Sequence, residues 1–198
     1  MKKKLSLLLV VGVLTMAAAA QQKPVFGIKA GINASGLHND NIDDAYDTKL
    51  GFHLGGLAHL HITPKIAFQP ELQFSTQGAE FKNSNDEIQL SYINVPLMFQ
   101  YMFNNGFRIE AGPQIGLMVG AEEEIGNIDI DRKQDYEGVD VGLGIGLNYL
   151  TYSGFGVGGR YNHGLSNIRE QGTTDLKNRV FQISLFYMFD NDHKAKSR

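Results

Sequence analysis

The stretch Val139-Asp-Val-Gly-Leu-Gly-Ile-Gly-Leu-Asn-Tyr149 decides the fold. Its odd-numbered residues are Val, Val, Leu, Ile, Leu and Tyr, whereas its even-numbered residues are Asp, three Gly and Asn. Side chains alternate between the two faces of a β-strand with a period of two residues. The stretch therefore predicts a strand with one apolar face and one face that is small and polar.

The same alternation recurs in seven further segments, so that eight strands are predicted. They cover about residues 26–34, 50–62, 66–75, 93–103, 107–119, 139–149, 155–162 and 181–189. Most of them exceed the ~5–6 residues typical of strands in soluble proteins, and they match the ~9–11 residues that a tilted strand needs to cross a membrane. Pro70, Pro96 and Pro113 interrupt this pattern, because each removes a backbone donor. We expect bulges or lumen-side partners to accommodate them.

Short and long connections alternate along the chain. Tight turns are predicted at 63–64, 104–106 and 151–153, where Asn105-Gly106 is a strong hairpin signal. Four longer loops fall at about 36–48, 78–87, 121–137 and 164–177, and they carry sixteen acidic against five basic residues. Short turns at one end and long loops at the other are typical of outer-membrane barrels, whose short turns are periplasmic.

The two faces of the strands also differ in a way that favours a membrane. The apolar face carries no charged side chain in any strand core, and aromatic residues lie near the strand ends. A soluble eight-stranded barrel such as a lipocalin would alternate identically but would bury its apolar face. Here the polar face is rich in Gly, which suits the narrow interior of an eight-stranded barrel. The prediction is an all-β, eight-stranded, antiparallel up-and-down transmembrane β-barrel with short periplasmic turns, four longer extracellular loops and both termini in the periplasm.

The first twenty residues are predicted to be a cleaved signal peptide. Lys2, Lys3 and Lys4 precede an apolar stretch at 5–16, and small residues follow at 17–20. An uncleaved membrane anchor is the alternative. The predicted organisation is thus a signal peptide at 1–20, a barrel at 21–189 and a short polar tail at 190–198. The chain has no Cys and a net charge of −3, so that disulfides, thiolate metal sites and a basic footprint for nucleic acid are excluded.

Seven short segments together resemble the PorT-like outer-membrane β-barrel family of Gram-negative bacteria. They are residues 27–33, 70–74, 92–97, 110–116, 141–146, 159–165 and 181–189. The resemblance implies an eight-stranded barrel that the outer-membrane assembly machinery inserts by reading an aromatic-rich last strand. The tail at 190–198 departs from that pattern, because it makes the signal internal.

Charged residues on the polar face define the candidate site. We expect a structural network inside the barrel, since buried charges need partners, and no catalytic, cofactor or metal site. Its members are Lys29, Glu71, Arg108, Glu110, Asp140 and Arg160. Partners are expected to be outer-membrane lipid and lipopolysaccharide, the assembly machinery and an envelope or secretion-complex protein. The predicted function is a non-enzymatic envelope or adhesion scaffold, or an accessory subunit of a secretion system.

Four alternatives remain open at this stage. The lumen could pass a solute, although an eight-stranded barrel is narrow. His59 and His61 could share a metal ion but would need further ligands. The acidic loops could bind Ca²⁺, although they do not match EF-hand spacing. A lipid A-modifying enzyme would need a nucleophile, a base and an acid at one rim, for which the nearest candidates are His163, Ser166 and Glu170.

Overall fold

A computed structural model gives the structure of the chain and describes residues 23–39, 46–82, 86–125, 128–133, 136–169 and 176–189. The signal peptide predicted at 1–20 and the tail predicted at 190–198 lie outside these ranges. The described part of the chain is all-β, and it contains no helix long and apolar enough to cross a bilayer.

The described residues form nine strands in one antiparallel sheet. They are β1 (Val25–Asn39), β2 (Tyr46–His61), β3 (Ile66–Phe81), β4 (Glu87–Met102), β5 (Phe107–Ile125), β6 (Ile128–Asp131), β7 (Val139–Leu150), β8 (Phe155–Gly164) and β9 (Leu176–Met188). Consecutive strands pair with each other, β5 pairs with both β6 and β7, and β9 returns to pair with β1. Eight strands therefore close into a barrel, and β6 only extends the far end of β5 as a short hairpin. The predicted fold class is confirmed.

The tight turns lie together at one end of the barrel. They occupy residues 62–65, 103–106 and 151–154, as the sequence predicts. Gly106 and Gly154 adopt φ values of 91° and 92°, which residues with a Cβ rarely tolerate. The start of the first barrel strand and the end of the last one also meet near the short turns. There the Phe189 amide donates to the Phe26 carbonyl at 2.9 Å.

The outer face of the barrel is an apolar band. Ile32, Leu54, Leu143, Ile145 and Leu185 are among the side chains that remain more than half exposed on it. On β5 the band runs from Phe107 to Val119, which is about 40 Å along the strand and about 30 Å across the membrane at a tilt of roughly 40°. That height matches a bilayer core.

The three strand prolines lie beside gaps in the ladder and not at bulges. For Pro113 the gap lies between β4 and β5, where the pairing passes from Pro96↔Gln114 to Phe99↔Ala111. Between β3 and β4 the pairing passes from Pro70↔Leu97 to Gln73↔Asn94, which omits the step that would pair Glu71 with Pro96. The register is the same on both sides of the gap. The register shifts of the described strands lie elsewhere, between Thr48 and His53 and between Ser91 and Tyr92. Of the two accommodations expected at the prolines, bulges or lumen-side partners, the bulges are therefore wrong.

The strands extend further into the predicted loops than the sequence alternation suggests. β3 and β4 stay paired as far as Glu80↔Glu87, and β4 and β5 as far as Glu87↔Glu124. All four predicted loops therefore include strand residues, which are 36–39, 46–48, 78–81, 87, 121–125, 128–131, 164 and 176–177. Backbone pairing continues because a ladder needs no lipid around it, and because apolar residues on the inner face give the extension a core of its own.

The polarity of the two faces inverts along β4. In the middle of the strand, Asn94 and Gln100 point inward and are buried while Phe99 is exposed to the outside. Beyond Tyr92 the inner face carries Ile88 and Leu90, both buried, and the outer face carries polar residues. A strand surrounded by lipid needs an apolar outer face, whereas one surrounded by water needs a polar outer face. The inversion therefore marks the edge of the membrane-facing band.

Candidate functional site

The centre of the barrel interior holds one arginine between two carboxylates. Arg160 on β8 donates from Nη2 to Oε1 of Glu71 at 2.7 Å and from Nη1 to Oε2 at 3.0 Å. Its Nε donates to Oε1 of Glu110 on β5 at 2.7 Å. All three side chains are almost fully buried. Such a bidentate guanidinium–carboxylate pair is among the strongest hydrogen-bonded arrangements in proteins.

Lys29 on β1 completes the charge balance. Its Nζ lies 3.0 Å from Oε1 of Glu71, so that Glu71 contacts two cations. We call Lys29, Glu71, Glu110 and Arg160 the ion-pair centre. Its formal charges cancel, which a buried cluster requires because an uncompensated charge in a low-dielectric interior is costly.

Amide side chains complete the hydrogen bonding of the two carboxylates. Gln69 donates from Nε2 to Oε1 of Glu71 at 2.8 Å, and Gln73 donates to the other oxygen. Gln100 donates from Nε2 to Oε2 of Glu110 at 2.9 Å. Arg108 contacts the oxygen of the same amide at 3.4 Å. The ion-pair centre is therefore fixed by a surrounding shell of neutral donors.

Glycines on neighbouring strands provide the room for these long side chains. A Cβ on Gly146 would lie 2.9 Å from Oε1 of Glu110, and one on Gly144 would lie 2.6 Å from Oδ1 of Asn162. Both distances are shorter than non-bonded carbon–oxygen contacts allow. The Gly-rich inner face of β7 is thus a packing requirement of a narrow barrel.

The structure separates the six residues of the predicted network into two groups. Lys29, Glu71, Glu110 and Arg160 meet in the ion-pair centre, and Arg108 reaches it through Gln100. Asp140 lies apart, because its carboxylate accepts hydrogen bonds from Ser166 Oγ at 2.8 Å and Asn178 Nδ2 at 3.4 Å.

A second polar network surrounds His53, which the alternation places on the inward face. Its Nδ1 lies 2.7 Å from Oδ1 of Asn33, and its Nε2 lies 2.9 Å from Oγ of Ser184. Because the amide oxygen can only accept, Nδ1 carries the proton. Gln182 donates to the same Asn33 oxygen at 3.1 Å. The alternation also places Asn33 and Ser184 on the inward face. A period of two residues does not show which of these side chains are in contact.

An apolar cluster closes the interior at the long-loop end. We call it the upper cluster; its buried residues are Leu37, Ala79, Ile88, Leu90, Tyr92, Met118, Ala121, Tyr136, Ile168 and Leu176. Tyr136 and Ile168 come from loop segments that fold inward, because the Glu137 amide donates to the Ile168 carbonyl at 2.8 Å and the Ile168 amide to the Leu176 carbonyl at 2.9 Å. Two loops therefore contribute to the closure.

A smaller apolar cluster lies at the short-turn end. This lower cluster consists of Val25, Leu57, Leu150, Phe186 and Met188, all buried. The Phe186 ring fills the space above Gly156, where a Cβ would lie 2.2 Å from a ring carbon. The interior thus has three layers along the barrel axis: apolar, charged and polar, and apolar again.

The two histidines considered for metal binding pack against each other. The rings of His59 and His61 are 4.8 Å apart in an edge-to-face arrangement, and His59 Nδ1 lies 3.3 Å from Oε1 of Gln69. Among the residues that the structure describes, no group of three or more His, Cys, Asp or Glu side chains is arranged to hold a metal ion.

The residues considered for a lipid-modifying enzyme are not arranged as a triad in the described part of the rim. Ser166 donates to Asp140, while Nδ1 of His163 lies 3.4 Å from the Tyr161 hydroxyl. Glu170 lies outside the described residues. A serine nucleophile needs a base such as His163 within hydrogen-bond reach, whereas the Ser166 hydroxyl donates to the Asp140 carboxylate and accepts from the Val141 amide.

Acidic residues line the outer face of the strand extension. Glu87 and Gln89 on β4 and Glu122 and Glu124 on β5 surround an open groove of about 220 Å³. Glu87 forms an ion pair with Lys49, and Glu123 forms one with Arg132 at 2.9 Å. We call this surface the acidic groove. It stands beyond the apolar band and is accessible from solvent.

Comparison with solved structures places the same architecture in other outer-membrane proteins. Neisserial surface protein A aligns with a TM-score of 0.58 at 13% identity, over 85% of this chain and 100% of that chain. Ail, the attachment invasion locus protein of Yersinia pestis, aligns with a TM-score of 0.53 at 16% identity, over 85% of this chain and 100% of that chain. At these identities the likeness shows the fold alone.

Sequence comparison identifies the family. No curated protein matches the chain in sequence. A family model described as "outer membrane protein beta-barrel domain" matches residues 19–170, which is most of the closed barrel and more than half of the chain. This protein therefore belongs to the outer-membrane protein β-barrel domain family.

Proposed function

We propose that this protein is a non-enzymatic, non-conducting scaffold of the outer membrane that displays an acidic surface to the cell exterior. The observation that carries the proposal is the three-layered interior. Apolar clusters close both ends, and the ion-pair centre fills the space between them. A hydrated path would have to pass two apolar layers and break buried ion pairs. With the lumen filled, the strand extension is the surface of the described residues that is proposed to contact other molecules.

The acidic groove is proposed as the contact surface for a cationic partner. Ail, which shares the fold, has been crystallised with the heparin analogue sucrose octasulfate, a polyanion. The outward residues here are Glu87, Glu122 and Glu124, so that the electrostatic preference is expected to be reversed. Complementary charge steers association and fixes specificity, and a basic segment of a host or envelope protein has the required chemistry.

The absence of conduction is tested in planar bilayers. We expect the purified, refolded barrel to give no steady conductance steps, while a general porin reconstituted in parallel gives them. Incorporation is checked by heat-modifiable gel migration of the same sample. Steady nanosiemens steps from folded protein would overturn the filled-lumen proposal and favour the narrow transporter.

The contact surface is tested by adhesion of proteoliposomes to polylysine-coated and heparin-coated surfaces. We expect retention on polylysine at low salt, with loss at high ionic strength because the contacts are solvent-exposed. The triple variant Glu87→Gln, Glu122→Gln, Glu124→Gln should lose most of this retention. Glu137→Gln, which removes an exposed acid outside the groove, is the control. Preferential retention on heparin would contradict the proposal.

Orientation and biogenesis belong to the same proposal. We infer that residues 1–20 are removed on export, that the assembly machinery inserts the barrel, and that both termini face the periplasm. The proximity of both barrel ends to the short turns supports the last point. An epitope at the C-terminus should be protected from protease on intact cells, whereas one inserted at residues 83–85 should be cleaved.

The resemblance to PorT-like barrels extends the proposal to partners. A stable protein that co-purifies from gently solubilised outer membranes would favour the role of an accessory secretion subunit over that of an independent adhesin.

The non-enzymatic assignment is supported by the Ser166–Asp140 hydrogen bond, in which the candidate nucleophile donates to a carboxylate and not to a histidine. A lipid A mass profile that is unchanged by deletion of the gene is expected; a shifted profile would favour the lipid-modifying enzyme.

A further inference from the structure

We propose that a small hard cation of calcium size binds inside the barrel between β5, β7, β8 and β9, beside Asp140. A cavity of about 10 Å³ lies there. It is lined by Gln77, Gln114, Asp140, Gly142, Asn162, His163, Gly164, Asn178 and Val180. Its volume is that of a single water-sized species.

Five of the nine residues that line this cavity carry a carboxylate or amide oxygen, namely Gln77, Gln114, Asp140, Asn162 and Asn178. Asp140 contributes a carboxylate, and three neighbouring strands contribute the amides of Gln114, Asn162 and Asn178. These amide side chains are each more than nine-tenths buried. In the described part of the structure, three of their oxygens have no hydrogen-bond partner: Gln114 Oε1, Asn162 Oδ1 and Asn178 Oδ1.

The orientation of two of these amides is fixed by their nitrogens. Asn178 donates from Nδ2 to Gln77 Oε1 at 3.0 Å and to Asp140 Oδ2 at 3.4 Å. Asn162 donates from Nδ2 to Gln182 Oε1 at 3.1 Å. Rotating either amide by 180° would lose these bonds. The unpartnered atoms are therefore acceptors and not misassigned donors.

Four acceptor groups around a volume of one water favour a cation over water. A water molecule carries two hydrogens and can satisfy two acceptors as a donor. A carboxylate and three amide oxygens together match the ligands that hard cations such as Ca²⁺ take, with oxygens drawn from carboxylates and carbonyls. One bound cation would satisfy all four groups and offset the Asp140 charge.

The charge of Asp140 has no cationic partner among the contacts recorded for the described residues. Those contacts are the neutral side chains of Ser166 and Asn178. The ion-pair centre is itself neutral. Arg108 is remote, because it pairs with Asn148 whereas Asp140 pairs with Gly116, which is about 26 Å further along β5. A cation in the cavity would supply the missing charge.

The site is reachable at the rim, between the start of β7 and the end of β8, without passage through the upper cluster. Asp140 and Ser166 are only half-buried, so that an ion can arrive past them without opening the barrel. A single carboxylate gives a weak site, for which a Kd on the order of 10⁻⁴–10⁻³ M is typical. That range suits an ion abundant outside the cell more than a scarce one.

Equilibrium dialysis of the folded, detergent-solubilised barrel against ⁴⁵Ca²⁺ in sodium-free buffer tests the proposal. We expect one Ca²⁺ per chain at millimolar concentration for the wild type and at least a tenfold weaker affinity for Asp140→Asn. Asp131→Asn removes an equal charge from an exposed position on β6 and should bind as the wild type does. A competition arm with Na⁺ distinguishes the two ions of similar size.

Asn178→Ala and Gln114→Ala keep the experiment informative if Asp140→Asn does not fold, which heat-modifiable migration would reveal. Each removes one amide oxygen and should weaken Ca²⁺ or Na⁺ binding severalfold. Equal binding by the wild type and by folded variants of all three positions would place the ion elsewhere. No binding of either ion at 10 mM would show that the cavity holds water only. Either result overturns the proposal.

Discussion

Arg160 on β8 and Glu71 on β3 face each other across the interior of the barrel and form two parallel hydrogen bonds of 2.7 and 3.0 Å, although 89 residues separate them in the chain. The same guanidinium also binds Glu110 on β5. One side chain therefore links three strands that are not neighbours in the sheet. The barrel wall is held by backbone ladders, and this contact ties its opposite sides together.

Removing this arginine should destabilise the barrel strongly. Arg160→Ala removes the guanidinium that binds both Glu71 and Glu110, whose carboxylates stay buried. Breaking a buried ion pair by deleting one partner costs about 3–5 kcal/mol. We expect the urea-unfolding midpoint of the refolded barrel in lipid to fall accordingly.

The control for that variant is Arg132→Ala. Arg132 forms an ion pair with Glu123, and 39% of the Arg132 side chain and 23% of the Glu123 side chain are exposed. An ion pair exposed to this extent contributes at most about 1 kcal/mol. Equal destabilisation by the two variants would contradict the importance of the ion-pair centre.

A methyl group is not tolerated at Gly31. A Cβ there would lie 2.0 Å from the Ile183 carbonyl oxygen and 2.7 Å from the His53 ring, and neither can move without shifting a strand. Gly31→Val should therefore prevent closure of β1 onto β9, and the heat-modifiable gel band should disappear. At Gly36, also on β1, a Cβ meets nothing within 4 Å. Gly36→Val should fold, and a folded Gly31→Val protein would show that the seam is looser than described.

Ile168 holds the loop after β8 in the upper cluster. It is fully buried, and the next residue, Arg169, pairs with Tyr136 in an isolated bridge. Ile168→Asp places a charge in an apolar cluster and should release this segment, so that trypsin cleaves after Arg169 on intact cells. Leu165→Asp alters a residue that is already 51% exposed and should leave the cleavage rate unchanged. Equal protection of both variants would argue against a closure that depends on Ile168.

The edge of the membrane can be located with paired arginine substitutions. Leu143 on β7 is 51% exposed within the apolar band, and Ile128 on β6 is 65% exposed on the strand extension. Leu143→Arg should cost about 2–4 kcal/mol if it lies near the bilayer midplane. Ile128→Arg should cost little, because its surroundings are aqueous. Unfolding titrations in vesicles measure both, and similar costs would mean that the extension is also in contact with lipid.

Much of the barrel follows directly from the local pattern. The alternation in residues 139–149 predicts one strand and assigns its two faces correctly, since Leu143 is exposed and Gly144 points inward. The Asn105-Gly106 signal marks a hairpin that the structure contains, with a positive φ at Gly106. Such features depend on residues adjacent in sequence, and for this reason a single sequence can specify them.

The extension of β3, β4 and β5 beyond the apolar band is harder to predict from the sequence. Ile88 and Leu90 alternate with Glu87 and Gln89 as clearly as any membrane segment does. Their acidic neighbours favour a loop as long as apolar residues are expected to face outward along the whole strand. Outside the bilayer the apolar residues face the barrel interior and the polar residues face water. The same alternation therefore indicates the opposite faces there. For the same reason, the sequence pattern does not predict the upper cluster.

The sequence by itself determined the number of barrel strands, their antiparallel order, the grouping of the short turns at one end and the inward position of the four residues of the ion-pair centre. Only the tertiary structure decided that Arg160 meets Glu71 and Glu110, that Asp140 stands apart among amide oxygens, and that Ile168 closes one end. The physical reason is that a period of two residues fixes the face of a side chain but not its height in the barrel. That height depends on the stagger between strands, which is set when β9 pairs with β1.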